Sequence, residues 1–146
     1  MSDLDDVEVL LVEDNRHDAE LMMRALKKAK FFNKLHWAQD GVEALEFVRC
    51  SGAYVNRNDL IPPKLILLDL KMPRLNGIDV LRELKANERT RSIPIVMLTS
   101  SNEDRDIVES YRLGANGFVT KPIEFADLMD AVAKLAAFWL GLNRVT

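Results

Sequence analysis

The chain has 146 residues, with 20 Lys and Arg against 23 Asp and Glu, so its formal net charge is −3 at pH 7. Hydrophobic residues make up 48% and charged residues 29%, which predicts one globular domain over residues 1–146 with its core at about 7–142. The scattered basic residues predict no direct nucleic-acid binding, no apolar run is long enough to span a membrane, and the single cysteine excludes an internal disulfide. The acidic N-terminus lacks the regions of a secretory signal, so we expect a cytoplasmic protein.

The apolar pattern predicts five strands that alternate with five helices. The predicted strands are residues 7–12, 35–38, 65–68, 93–98 and 117–120. The predicted helices are residues 16–30, 41–50, 76–87, 101–114 and a last one from about residue 124, and residues 51–63 form a long loop. This alternation predicts a parallel sheet with helices on both faces.

Short polar residues and one glycine mark the predicted helix ends. Asn15 and Asn76 are expected to cap the first and third helices, and Asp40 with Glu43 has the spacing of a capping box. Gly114 suits a left-handed cap after the fourth helix.

The stretch LILLDLKMPRLNG, residues 65–77, brings one carboxylate to the end of an apolar strand. Leu65 to Leu68 show no polar alternation, as expected for a strand buried on both faces, and Asp69 follows at once. In open α/β sheets, ligands bind outside the carboxyl ends of the strands. Asp69 therefore either caps the strand end or does chemistry there.

Other polar side chains follow the remaining predicted strands and would emerge at the same sheet edge. Glu13 and Asp14 follow the first strand, Thr99 the fourth and Lys121 the fifth. Three carboxylates at one edge repel one another unless a cation binds them, and oxygen ligands suit Mg²⁺. With a lysine and a hydroxyl nearby, the set suits phosphoryl transfer to an aspartate. Taken singly, each residue has an ordinary structural role as cap or surface charge.

Four motifs in this order carry a family resemblance: LLVEDN, LILLDLKMPRLNG, VMLTSS and GANGFVTKP. Together they resemble the response-regulator receiver domain of bacterial two-component signalling over essentially the whole chain. The resemblance implies a flavodoxin-like, doubly wound α/β fold with strand order 2-1-3-4-5 and five helices, an order that periodicity alone does not give. It also implies a signalling domain that assists only its own phosphorylation and dephosphorylation, rather than an enzyme.

By the same resemblance, Asp69 matches the aspartate that accepts a phosphoryl group from a phosphohistidine of a sensor kinase. Asp14 matches a direct Mg²⁺ ligand, Glu13 its acidic neighbour, and Lys71 the residue whose backbone carbonyl is a further ligand.

Three further positions match the family's switch apparatus. Thr99 matches the hydroxyl that follows the phosphoryl group, and Lys121 the lysine that pairs with it. Phe118 stands at the aromatic switch position. The implied mechanism is a population shift in which phosphorylation changes the partner affinity of the surface made by the fourth helix, fifth strand and fifth helix.

The expected partners are a sensor histidine kinase and a downstream protein or phosphotransfer partner. The chain ends with the receiver motifs, so we expect a stand-alone response regulator. The segment NKLHWAQDGVEALEF at 33–47 and AAFWL at 136–140 resemble the receivers associated with bacterial phytochromes. The apolar residues Phe138, Trp139, Leu140 and Leu142 predict a homodimer through this end and the switch surface, against the alternative of a last helix that packs on its own core.

Three rival functions stay open on the residues alone. A Mg²⁺-dependent phosphohydrolase would place a second Asp two positions after the first, where this chain has Lys71. A receiver-like interaction module that is never phosphorylated would not need Asp69, Asp14, Thr99 and Lys121 together. A nucleotide- or flavin-binding protein would be expected to carry a Gly-rich loop after the first strand, and none is present.

Overall fold

The structure is a computed structural model that describes residues 7, 9–29, 34–57, 62–99, 104–120, 127, 130, 131 and 134. Five strands form one parallel sheet in the order β2-β1-β3-β4-β5. The strands are β1 (Val9–Val12), β2 (Leu35–Ala38), β3 (Leu65–Leu68), β4 (Ile95–Thr99) and β5 (Gly117–Thr120). The flavodoxin-like order implied by the resemblance is thus confirmed.

The helices lie between the strands, as the alternation predicts. They are α1 (Arg16–Ala29), α2 (Gly41–Arg49), α3 (Gly77–Ala86) and α4 (Asp104–Arg112). For the predicted fifth helix, residues 127, 130, 131 and 134 are helical, and its bounds lie outside the described residues.

The start of β1, both ends of β4 and the loop at 51–63 differ from the sequence predictions, and α2, α3 and α4 each end one or two residues earlier than predicted. β1 begins at Val9 rather than residue 7. β4 begins at Ile95 rather than residue 93 and includes Thr99; Pro94 just before it has no N–H to donate to a ladder, although its carbonyl accepts from Ile66 N at 2.9 Å. The predicted loop at 51–63 contains a short 3-10 helix, Gly52–Tyr54.

Alternate residues of each strand feed two cores, one on each face of the sheet. On one face, Leu10, Ile66 and Ile95 pack with α2 and α3, including the fully buried Phe47 and Leu81. The opposite core lies against α1 and comprises Val9, Leu11, Ala19, Met22, Ala25, Leu26, Leu65, Leu67, Val96 and Leu98. The central strands are therefore buried on both faces, which explains their uninterrupted apolar sequence.

The predicted caps are present before α1, before α3 and after α4. Asn15 Oδ1 accepts from Asp18 N at 2.9 Å, and Asn76 Oδ1 accepts from Asp79 N at 3.0 Å. Gly114 has φ +103°, the left-handed conformation expected of it after α4.

The capping box before α2 is present in altered form. Asp40 Oδ1 accepts from Glu43 N at 2.8 Å, as predicted, but Glu43 Oε1 accepts from Gln39 N at 3.0 Å, one residue before the cap.

An aromatic cluster anchors β2, which lies at the edge of the sheet. The His36 ring stacks on Phe47 with centroids 4.6 Å apart, and the Tyr54 hydroxyl lies 2.9 Å from His36 Nε2 and donates to Glu43 Oε2 at 2.6 Å. The Arg57 guanidinium lies 3.8 Å from the Phe47 ring centroid. The segment after α2 is thereby tied to β2 on the face of the sheet that α2 covers.

Candidate functional site

The site lies where β1 and β3 end side by side. Val12 pairs with Leu68, the last residue of each strand, and Asp69 N donates to Val12 O at 3.0 Å. The strand order reverses direction between these two strands, and such a switch point opens a crevice at the carboxyl edge of a doubly wound sheet. Parallel pairing in this register brings the predicted residues Glu13 and Asp69 together.

Three carboxylates meet in this crevice. Oxygen atoms of Glu13, Asp14 and Asp69 all lie within 4.8 Å of one another. Glu13 is 2% exposed and Asp69 8% exposed, whereas Asp14 is exposed. Three hard anionic oxygen donors that converge on one point, with one side open to water, fit a divalent cation such as Mg²⁺ or Mn²⁺.

Two glycines let the loop after β3 lie close to the helices around it. A Cβ at Gly77 would lie 2.2 Å from the Asp69 carbonyl oxygen, and one at Gly41 would lie 2.3 Å from the Leu75 carbonyl oxygen. Gly77 N also donates to Leu70 O at 2.8 Å. The start of α3 is therefore packed directly on the backbone of Asp69, an approach that only glycine permits.

The loop after β1 is held by edge strand β2. Glu13 N donates to Ala38 O at 3.1 Å, and the Trp37 indole Nε1 donates to Glu13 O at 2.7 Å. Sequence reasoning missed Trp37, because the partners are 24 positions apart and the bond depends on the register of β1 and β2. The one available signal was a large aromatic side chain with a donor group, three residues before the first residue of a capping box.

The remaining predicted residues are located only in part. Thr99 ends β4 and pairs with Thr120, so its backbone reaches the same sheet edge as Asp69. Phe118 pairs with Met97, two residues before the pair of Thr99 with Thr120. Its side chain is half-buried and packs against the core beside α2 and α3. Lys71 is exposed in the loop after Asp69, and Lys121 lies outside the described residues.

Comparison with known proteins decides the family. Residues 9–133 match the response regulator receiver domain. The chain belongs to this family. It is therefore a signalling receiver of the response-regulator type, as the four motifs predict.

Two curated relatives share 38% identity with this chain. One is the "Probable methanogenesis regulatory protein FilR2" of Methanothrix harundinacea, matched over 93% of this chain and 85% of that protein. The other is "Response regulator Rcp1" of Synechocystis, matched over 90% of this chain and 88% of that protein.

Solved structures of response regulators have the same fold. The Mn²⁺-bound form of Rcp1 is 38% identical with a TM-score of 0.83, covering 90% of this chain and 93% of that one. The phosphorylated cyanobacterial phytochrome response regulator RcpA is 36% identical with a TM-score of 0.85, covering 92% and 94%. The bacteriophytochrome response regulator RtBRR is 44% identical with a TM-score of 0.76, covering 90% and 78%.

One match bears on the predicted metal site, and the described helices bear on the membrane prediction. A relative at 38% identity holds Mn²⁺, which agrees with the divalent-cation fit of the three carboxylates in this chain. Within the described part of the chain, no helix is both long and apolar enough to cross a bilayer.

Proposed function

We propose that this receiver accepts a phosphoryl group on Asp69 in a Mg²⁺-dependent reaction. The observation that carries the proposal is the convergence of the Glu13, Asp14 and Asp69 carboxylates within 4.8 Å at the switch point of the sheet. Glu13, Asp14 and Asp69, with the backbone carbonyl of Lys71, would hold the metal ion. When bound, this ion neutralises charge on the phosphoryl oxygens.

The chain's own groups then do three things. A carboxylate oxygen of Asp69 attacks phosphorus, the bond from phosphorus to the donor nitrogen breaks, and the donor imidazole leaves with the electron pair. Gly77, packed against the Asp69 carbonyl, holds the attacking residue in position. Lys121 is assigned the ion pair with the new phosphoryl group.

Thr99 and Phe118 are assigned the switch. Thr99 stands at the end of β4 on the site's edge of the sheet, and Phe118 lies half-buried on the neighbouring strand. We assign to the phosphorylated state a Thr99 hydroxyl bonded to the phosphoryl oxygens and a Phe118 ring turned inward. Partner affinity then changes at the surface around α4 and β5.

A signalling role, rather than turnover of substrates, follows from the position two residues after Asp69. Lys71 stands there, so no second carboxylate is available at that position to act as acid or base for turnover of a small phosphate ester. We accordingly assign the chain no enzymatic turnover, and we propose a cytoplasmic location from its membership of the receiver family.

Intact-mass spectrometry tests the proposal directly. The wild type incubated with Mg²⁺ and acetyl phosphate should gain the mass of one phosphoryl group, and Asp69→Asn should gain none. Asp79→Asn is the matched control, because Asp79 lies on α3, its carboxylate accepts from Arg82 at 3.2 Å, and it is not one of the three clustered carboxylates. This variant should be phosphorylated like the wild type.

A folded wild type that gains no mass would overturn the proposal. It would favour the alternative, a receiver-like module that binds partners without phosphorylation. Phosphorylation without Mg²⁺, or in Asp69→Asn, would contradict the assigned site.

The phosphoryl donor is proposed to be a sensor histidine kinase of the phytochrome class. RcpA and RtBRR, at 36% and 44% identity, are named as phytochrome response regulators, whereas FilR2, at 38%, is named for methanogenesis. The two structures named for phytochromes support the assignment, and the relative named for methanogenesis is the reason for comparing two classes of kinase. Transfer from an autophosphorylated bacterial phytochrome, timed against a non-phytochrome sensor kinase, should be at least tenfold faster; equal rates would contradict the assignment.

A further inference from the structure

The indole Nε1 of Trp37 donates to the Glu13 carbonyl oxygen at a distance of 2.7 Å. That carbonyl belongs to the peptide unit that joins Glu13 to Asp14. Since a peptide unit is planar, a bond to its oxygen restrains the rotation of the whole unit, including the backbone from which the Asp14 side chain leaves.

The two ends of Glu13 are thus fixed by the same edge strand. Its N–H donates to Ala38 O at 3.1 Å, and its C=O accepts from Trp37. Trp37 is itself immobilised, because its ring packs on the core beneath α1 and its backbone pairs with Leu11. Asn15, one residue beyond Asp14, is held as the cap of α1.

Asp14 depends on this backbone restraint more than the other two carboxylates of the cluster, Glu13 and Asp69, do. Glu13 and Asp69 are buried, so packing limits their side chains, whereas Asp14 is exposed. An exposed carboxylate is directed chiefly by its backbone, and metal affinity is sensitive to groups that orient the ligands.

We propose that Trp37 is a positioning residue for the divalent-metal site, acting through the peptide between Glu13 and Asp14. The edge strand β2 is thereby coupled to metal binding although it contributes no ligand. This inference rests on the proposed metal site.

The test replaces the indole N–H by sulfur without changing the shape of the ring. The chain has two tryptophans, so a Trp139→Phe background lets a tryptophan auxotroph incorporate β-(3-benzothienyl)alanine at position 37 alone. Mn²⁺ is titrated into the full chain, with free ion followed by electron paramagnetic resonance and Mg²⁺ measured by competition. We expect the isostere to weaken affinity roughly threefold to tenfold relative to Trp139→Phe, at or below the lower end of the loss that follows removal of a group orienting a metal ligand, with an unchanged circular dichroism spectrum.

Thr90→Val is the matched control. Thr90 Oγ1 donates to Leu84 O at 2.6 Å, so this variant also loses a buried bond from a side chain to a backbone carbonyl, but in the segment after α3 and before β4. It should lower stability and leave Mn²⁺ affinity at the Trp139→Phe level.

An isostere that binds Mn²⁺ as tightly as the Trp139→Phe background would overturn the role of Trp37 while leaving the metal site intact. An equal loss in Thr90→Val would also overturn it, because general destabilisation would then explain both. Absence of Mn²⁺ and Mg²⁺ binding by the wild type would overturn the proposed site and this inference together.

Discussion

At the scale of single residues, the like charges of the acidic cluster lower the stability of the folded chain. The Glu13, Asp14 and Asp69 carboxylates repel one another within 4.8 Å, and two of them are buried, where water screens charge poorly. A bound cation would be attracted to all three carboxylates and would offset their mutual repulsion. Metal binding and folding stability are therefore linked at this site.

Removal of the Asp14 charge should separate these two effects. Asp14→Asn is expected to unfold at the same or a higher urea concentration than the wild type without metal, because one of three like charges is gone. Mg²⁺ at 100 times its dissociation constant should stabilise the wild type by about 2.7 kcal/mol and Asp14→Asn by much less. Urea unfolding with and without MgCl₂ at constant ionic strength measures both, and Asp79→Asn should behave as the wild type. Equal stabilisation of Asp14→Asn would contradict the ligand assignment.

The contact between Gly77 and Asp69 predicts a second residue-scale effect. Gly77→Ala should destabilise the protein by roughly 1–3 kcal/mol despite the better helix propensity of alanine, because the new Cβ meets the Asp69 carbonyl 2.2 Å away. The displaced Asp69 should also accept phosphoryl groups more slowly from acetyl phosphate. Gly117→Ala is the control, since its Cβ would lie 3.5 Å from a Val96 methyl group. Similar urea midpoints for the two variants would count against the close approach.

At the scale of elements, β2 and the segment after α2 are joined by one hydrogen-bond network. The Tyr54 hydroxyl donates to Glu43, so its oxygen is left to accept from His36 Nε2, which places a proton on that nitrogen. Burial lowers the pKa of His36; the nearby Glu43 carboxylate partly offsets this, and Arg57 adds to it. Burial and the bond to Glu43 raise the pKa of Tyr54, so its hydroxyl keeps the proton that this network needs.

This network predicts a pH dependence of stability. Because the pKa of His36 is below 6.5 in the folded state, the unfolded chain binds more protons at this residue than the folded chain does once the pH falls towards and below 6.5. The free energy of unfolding should therefore be highest above that pH, fall as the pH drops through the window beneath it, and level off below the folded-state pKa. Urea unfolding between pH 7.5 and about 5.5 measures this slope.

The second histidine supplies the control for this pH experiment. His36→Gln should flatten the slope between neutral pH and the onset of carboxylate titration. His17→Gln should retain it, because His17 is exposed on α1. The same slope in His36→Gln as in the wild type would show that other groups cause it.

At the scale of the whole molecule, the sheet separates two cores and exposes one functional edge. α2 and α3 cover one face and α1 the other, and the loops after β1 and β3 meet at the carboxyl edge, where β4 also ends. On α4, Val108 is 58% and Tyr111 50% exposed, so this helix presents apolar side chains to solvent beside β5. These two side chains of the predicted output surface are therefore accessible to a partner.

Self-association is the whole-molecule prediction. The segment with Phe138, Trp139, Leu140 and Leu142 lies outside the described residues, and its apolar surplus predicts a homodimer. Sedimentation velocity should show a concentration-dependent dimer that Trp139→Ala weakens at least tenfold, since buried aromatics dominate many interfaces. Tyr111→Ala on α4 tests whether the switch surface contributes. A wild type that stays monomeric at all concentrations would exclude the dimer.

Local interactions explain which features the sequence determined by itself. Apolar runs, caps at Asn15, Asp40 and Asn76, and the left-handed Gly114 depend on neighbours a few positions apart, so pattern and propensity predict them. Asp69 at a strand end was predictable for the same reason. The 3-10 helix in the loop was not, because its Tyr54 is held by residues of β2 and α2.

Contacts between distant segments were decided by the tertiary structure. Periodicity fixes which side of a strand faces a core but not which strands are neighbours, so the order β2-β1-β3-β4-β5 followed from family resemblance and not from spacing. That order and its register bring Trp37 to the Glu13 carbonyl and Gly77 to the Asp69 backbone. The sequence by itself thus determined the elements and the chemical groups at their ends. Only the packed sheet decided how those groups are oriented, because orientation depends on bonds between residues far apart in the chain.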